Sequence, residues 1–295
     1  CWSPMQFSLS DGFSEFDQHS FAQVLEQSKG FLPLLKPIEV NTIPLNSEGS
    51  GLAEELTFAI CLGHEIIVRG LELGHMIDDL SASINFKLGT SSNYLFDIAR
   101  VRTFRQLWAS VIKNYQPVHA CSLNAFVTVE TSTWNKPQKD SRSNLLRLTT
   151  EAMAAVIGGA DELQINPYSL NAPDADRLSL NIHHLLRHEA GLARAKDPAA
   201  GSYYLENASE AIGNLVWKQF NKLEDLGGLS TQEARALLYN DLLLTREASI
   251  ADAAAGKRSL IGFNTYLSPF EADKSTTSET GLASAAESRM KSEAQ

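Results

Sequence analysis

The sequence predicts an α/β fold: a parallel sheet built from βα units, followed by a helical C-terminal region. Between residues 38 and 165, short apolar runs rich in β-branched residues alternate four times with helix-period stretches, at the spacing of βα units. After Pro173 the strand signals stop and three long helical patterns follow. The chain of 295 residues is 43% hydrophobic and 20% charged, ordinary for a soluble globular protein and long enough for one barrel-sized core or two smaller domains.

Taken in order, residues 15–27 carry Phe16, Phe21, Val24 and Leu25 on a short amphipathic helix, closed by Gly30 and Pro33. Residues 38–40 form a brief strand, and 41–51, rich in Asn, Ser, Gly and Pro, read as a loop. Leu56, Ile60, Ile66 and Ile67 place a helix over 52–71. A weak strand over 84–86 precedes the clearest helix, 93–115, where Leu95, Ile98, Val101, Leu107, Trp108, Val111 and Ile112 step by three and four. Residues 122–129 (SLNAFVTV) are the next strand, 144–157 a helix ended by Gly158 and Gly159, and 162–165 the fourth strand. Helices follow over 175–195, 206–226 and 231–255. The Ser-, Thr-, Ala- and Glu-rich stretch 273–295 reads as a mobile tail. Four units result: an N-terminal helical lead-in over 1–37, βα units over 38–172, a helical region over 173–272 and the tail.

Composition excludes several functions. Twenty-five basic against 35 acidic residues give a net charge of −10, which argues against nucleic acid while leaving room for a local anion pocket. Cys1, Cys61 and Cys121 lie far apart without a CxxC, as inert thiols in a reducing cytosol would. No apolar run is long enough to span a bilayer, and the start lacks the basic and apolar regions of a signal peptide, so a cytoplasmic location is expected. The first residue is cysteine rather than methionine, which fits a fragment or a processed product. His183, His184 and His188 share one helix, but without an HExxH arrangement they read as surface histidines and no metal site is assigned. Arg100, Arg102 and Arg105 read as a salt-bridged helix face in preference to a nucleotide contact.

Four segments carry chemistry of a recognisable kind: TVETSTW at 128–134, EAMAAVIGGADELQIN at 151–166, DPAAGSYYLE at 197–206 and IGFNTY at 261–266. In this order and spacing they resemble the substrate-binding barrel of the adenosylcobalamin-dependent acyl-CoA mutases, the methylmalonyl-CoA mutase family. The resemblance runs from about Ile38 to Tyr266. Four βα units cannot close an eight-stranded barrel; the resemblance implies the later half of a TIM-type (β/α)8 barrel, because its matches begin past the barrel's midpoint.

It also implies where ligand groups would stand, at the C-terminal ends of the strands. Where the family has a segment like YHMQEAGA before an ELA helix, this chain has IPLNSEGS at 43–50, with Gly49 kept, Pro44 for the histidine and Asn46 for the glutamine. PRLSFFWG becomes ASINFKLG at 82–89, with Ser83 replacing an arginine that could grip a carboxylate by two parallel hydrogen bonds. Lys87 is out of phase by four residues and reads as a solvated lysine. HSQTSGW becomes TVETSTW: Thr128 replaces the histidine that would polarise a thioester carbonyl, and Glu130 replaces a glutamine and would repel the phosphates of CoA. SLHTN becomes ELQIN, keeping only Asn166 among its polar residues. Glycines, prolines and core residues match while the reactive positions do not, so no catalytic residue is assigned; Asn46, Ser83, Thr128, Glu130 and Asn166 are vestigial substrate-site positions.

The family's cobalt-ligating DxHxxG motif occurs nowhere in the 295 residues: His19 follows Asp17 but has Ala22 where the glycine would stand, and His64, His75 and His119 lack both the aspartate and the glycine. The resemblance therefore implies the small, non-catalytic subunit of a heterodimeric methylmalonyl-CoA mutase. It would bind no cofactor itself and would pack against a catalytic large subunit that carries adenosylcobalamin and interconverts methylmalonyl-CoA and succinyl-CoA. The alternative is an active acyl-CoA mutase with an altered pocket, in which Thr128, Glu130, Asn46 and Asn166 touch another acyl group. Gly201, in the DPAAGSYY turn, is expected to adopt a positive φ.

Overall fold

A computed structural model describes residues 2–28, 35–267 and 279–293. The chain opens with a two-residue antiparallel ladder, β1 (Phe7–Ser8) and β2 (Gly12–Phe13), which the sequence did not signal. Helix α1 (Gln18–Ser28) follows, burying Phe21 and Leu25; Gly30 and Pro33, expected to close it, lie outside the described residues. Strand β3 (Ile38–Asn41) leads to a short helix, α2 (Ile43–Ser47), where a loop was expected; Pro44 sits in its first turn, where a missing N–H costs nothing. Next come α3 (Leu52–Glu72), α4 (Ile77–Ser83), β4 (Ile84–Gly89) and α5 (Tyr94–Lys113), the last capped by the Asn93 side chain accepting from Phe96 N. Strand β5 (Phe126–Glu130) starts later than the apolar pattern suggests. The preceding residues form a 3-10 turn, Ala120–Leu123, whose Ser122 hydroxyl donates to Asp78 at 2.5 Å.

Helix α6 (Ser143–Gly158) ends on a left-handed Gly159 and feeds β6 (Glu162–Gln164). Then α7 (Ala175–His184) runs into a π-helical turn, Leu185–Glu189, and stops at Gly191, short of the expected 195. Two long helices, α8 (Tyr203–Asp225) and α9 (Gln232–Ala254), match the sequence pattern closely. The expected mobile tail is corrected over its described part: α10 (Gly281–Glu293) lies along α9 with Leu282, Ala283 and Ala286 buried. Its apolar residues are small and few, so composition hides a helix held by burial against Trp134, Ile250 and Leu260.

Strands β3, β4, β5 and β6 form one parallel sheet in sequence order. This is the α/β parallel arrangement the alternation predicts. Alternation along each strand splits the sheet into two unlike faces. Ile38, Val40, Ile84, Phe86, Leu88, Val127 and Val129 are all buried in the main core with α3 and α5. There Phe86 meets Phe104 and Trp108 edge-on, with ring centroids 4.7 and 4.6 Å apart. Helix α8 crosses outside α3 and α5. The opposite face is polar: the register aligns Asn41 with Lys87, Lys87 with Thr128, Thr128 with Glu162, and Glu130 with Gln164. Parallel strands covered on both sides read as continuous apolar runs; these read as strict alternation. No described helix is long and apolar enough to cross a membrane.

Candidate functional site

The C-terminal ends of the four strands, with the turns that follow them, hold the largest concentration of buried polar groups. Helix α3 begins just after the β3–α2 connection, so Glu55 in its first turn points back beneath the strand ends and is fully buried. It accepts from Thr42 Oγ1 at 2.6 Å, Gly89 N at 2.7 Å and Asn46 Nδ2 at 3.1 Å, and it is paired with the Arg100 guanidinium. Arg100 also faces Asp97, Nε to Oδ1 at 3.3 Å, one helical turn back on α5. Asp97 in turn accepts from Ser91 N at 2.8 Å and Ser91 Oγ at 2.9 Å. Burial pushes the Asp97 carboxyl up to about 6, although Arg100 and Ser91 pull it down. Burial would lower the Arg100 guanidinium, yet Glu55 and Asp97 together raise it.

A second buried pair sits alongside. Glu151, on the core side of α6, is bonded to Lys136 and accepts from Asn135 Nδ2 at 3.0 Å, Thr90 Oγ1 at 2.7 Å and Ser132 N at 3.1 Å. Burial lowers the Lys136 ammonium, with Glu151 opposing. Thr90 joins the two pairs: its carbonyl accepts Asn46 Nδ2 at 2.9 Å while its hydroxyl serves Glu151. Above the network, Gly49 adopts φ +88°, and a Cβ there would lie 2.5 Å from the Trp134 indole. Only glycine fits.

The five expected site residues do not form one cluster. Asn46, 6% exposed, belongs to the Glu55 network just described. Thr128, Glu130 and Asn166 do come together, on the polar sheet face. Glu130 is held by Lys87 Nζ at 2.7 Å and by Asn166 Nδ2 at 3.0 Å; Asn166 also reaches Thr131 O at 2.7 Å. The Thr128 hydroxyl sits between Asn85 Oδ1 at 3.0 Å and Glu162 Oε2 at 3.1 Å. Lys87, expected to be solvated, is instead half-buried and tied to Glu130 and to Gln164 Oε1 at 3.1 Å. Ser83 lies elsewhere. It ends α4, before β4 starts, and so stands at the opposite end of the strand, its hydroxyl donating to Leu80 O at 2.7 Å.

Sequence reasoning missed Glu55, Thr90, Asp97, Lys136 and Glu151. A signal existed: Glu55 continues the buried stripe Ala59, Leu62 and Ile66 on α3, and Glu151 continues Leu148 and Ala155 on α6. A carboxylate on the apolar stripe near a helix start is a buried one. The arginine trio is salt-bridged as expected: Arg102 pairs with Asp197 and with Glu206 at 2.8 Å, and Arg105 with Asp161 at 2.7 Å. Among the described residues no group of three or more His, Cys, Asp or Glu is placed to hold a metal ion. Of the histidines, His64 lies on α3 bonded to Tyr115 and Glu224, His119 just before the Ala120–Leu123 turn, and His183, His184 and His188 on and after α7; none lines the strand-end cavities.

This is the strand-end architecture of an α/β protein whose buried carboxylates Glu55, Asp97, Glu130 and Glu151 are each paired within the chain. The chain belongs to the methylmalonyl-CoA mutase family, whose profile matches residues 16–294. It is 28% identical over 272 residues to the methylmalonyl-CoA mutase small subunit of Porphyromonas gingivalis, covering 90% of this chain and 44% of that one. It is 28% identical over 252 residues to the methylmalonyl-CoA mutase of Rhizobium meliloti, covering 83% and 35%. To the mitochondrial enzyme of Bos taurus it is 29% identical over 253 residues, covering 83% and 33%. The chain thus spans less than half the length of these relatives.

Proposed function

We propose that this chain is a non-catalytic, small-subunit-type member of the family, built as the later half of its barrel and supporting a separate catalytic subunit. One observation carries the reading. At the strand ends, where the resemblance expects histidines, the chain has Pro44, Thr128 and Gln164, and the polar groups that remain are bonded to partners within the chain. A site that must receive this family's substrate needs groups free to polarise its carbonyl; Glu130 is held by Lys87 and Asn166, the Asn46 amide donates to Glu55 and Thr90, and Glu55 is paired with Arg100. The half-barrel reading is supported by the polar sheet face and by edge strand β6, which among the described residues pairs with β5 alone. The small-subunit relative supports the reading of a partner subunit.

Adenosylcobalamin does not fit the residues present. The chain has no DxHxxG motif, and the strand-end cavities carry no histidine that could meet cobalt. No step through the corrin is assigned to this chain. The catalytic partner would carry it and interconvert methylmalonyl-CoA and succinyl-CoA.

The alternative, an active mutase with an altered pocket, has one observation in its favour: Asp97 lines a strand-end cavity, where burial pushes its carboxyl up to about 6. Succinyl-CoA formation from methylmalonyl-CoA decides between them. The isolated chain with excess adenosylcobalamin should show none, and hydroxocobalamin should show no histidine-bound spectrum. Steady turnover would sink the non-catalytic reading.

A further inference from the structure

A small cavity opens beside the Glu55–Arg100 pair. Its walls are the α2–α3 turn, the turns after β4 and β5, and the far half of α9 with the segment beyond. It encloses about 180 Å³, space for a handful of waters at roughly 30 Å³ each. On a chain of net charge −10 its lining among the described residues contains no aspartate or glutamate, but two arginines, Arg100 and Arg258.

Arg100 is committed to Glu55 and Asp97. Arg258 is not: among the described residues it forms no ion pair, and its guanidinium donates only to Ser249 Oγ at 2.6 Å and Ser92 Oγ at 3.2 Å. Burial lowers its pKa, with Asp252 opposing. A half-buried cation whose partners are neutral gains from an anion in reach.

The hydroxyl inventory points the same way, since each hydroxyl has one proton to give. Thr90 gives its proton to Glu151, Ser91 to Asp97 and Thr245 to Glu54. Ser92 and Ser249 accept from Arg258, and Ser132 accepts from Trp134 N at 3.2 Å, so their protons are uncommitted. The buried Ser50 hydroxyl has no hydrogen-bond partner among the described residues. The carboxylates behind the wall (Glu54, Glu55, Asp97 and Glu151) are already engaged by Thr245, Arg100, Ser91 and Lys136.

We propose that this cavity binds one tetrahedral oxyanion, inorganic phosphate or the phosphoryl group of a small monoester. Arg258 is its charge partner, and Ser50, Ser92, Ser132 and Ser249 are its hydroxyl donors. Four donors from four separate chain segments suit four oxygens around a centre better than the two oxygens of a carboxylate lying in one plane. The site stands apart from the reading as a non-catalytic subunit and would hold whichever function the chain serves.

The experiment is calorimetric titration of the full-length protein at constant ionic strength, with inorganic phosphate, a small phosphate monoester, acetate and chloride as separate arms. Saturable one-to-one phosphate binding in the millimolar range or tighter is expected, with chloride silent and acetate weaker. If only the monoester binds, the ligand is an organic phosphate and the site stands. Arg258→Gln should weaken binding about tenfold or more, and Ser249→Ala by about threefold, with melting curves in chloride reporting that each variant is folded. Should Arg258→Gln fail to fold, Ser92→Ala and Ser249→Ala carry the test. Absence of saturable binding by either phosphate, acetate binding as tightly, or wild-type affinity in the folded variants would overturn the proposal.

Discussion

Replacing Glu55 with alanine deletes the acceptor on which Thr42, Gly89, Asn46 and Arg100 converge. Arg100, 2% exposed, would keep only Asp97, itself a carboxyl that burial has pushed up to about 6. Removing one partner of a buried ion pair costs about 3–5 kcal/mol. Each buried donor left bare adds about 1–3 kcal/mol, and these terms overlap rather than add. The expected loss is about 4 kcal/mol or more, a large part of a stability of about 5–15 kcal/mol. Glu55→Gln keeps an acceptor oxygen and withdraws the charge, so it should cost less, about 2–3 kcal/mol. Urea melts at pH 7, compared at equal m-values, measure both. A loss below about 1 kcal/mol for Glu55→Ala would refute the claim that this pair organises the strand ends.

Four further outcomes follow. Between about pH 4 and pH 6 the unfolded chain carries a charged Asp97 while the folded carboxyl keeps its proton. Its contribution to stability is therefore full below 3.8 and is lost as pH rises through about 6, by about 3 kcal/mol at most; Asp97→Asn should flatten that fall in urea melts between pH 4.5 and 7.5, and an unchanged slope refutes it. Gly49→Ala meets both a positive φ and the Trp134 ring, and should cost about 2–3 kcal/mol or more, visible as a lowered Tm with Trp fluorescence shifted. Gly201→Ala, at φ +77° with nothing within 4 Å of a Cβ, should cost only about 1 kcal/mol. Thr128→Ala, at 7% exposure and with its hydroxyl between Asn85 and Glu162, should cost a similar amount; paired melts that separate the two by a large margin count against this. Leu282→Ala should cost about 2–4 kcal/mol or free α10 to proteases, whereas an unchanged digestion pattern and melt would show the helix contributes little.

By itself the sequence determined the alternation of strands and helices, the parallel sheet, the long helices after Pro173 and the left-handed glycine at position 201, because each is written in local periodicity or in a single residue's backbone freedom. It also carried the family, since glycines and core residues are constrained by close packing that survives when reactive groups change. Tertiary structure decided which charges meet. Arg100 lies 45 residues from Glu55, and Thr90 lies 61 from Glu151; no local pattern links them, and what fixes the pairing is that both helices start beneath the same strand ends. The same holds for Ser83. Where a strand begins depends on which backbone groups its neighbours offer, so a motif can be placed correctly in sequence and stand at the wrong end of the sheet. Lys87 and Glu130 read as two isolated charges along the chain, and parallel register two strands wide makes them an ion pair, because the strand period puts both on one face and burial leaves each without a better partner than the other.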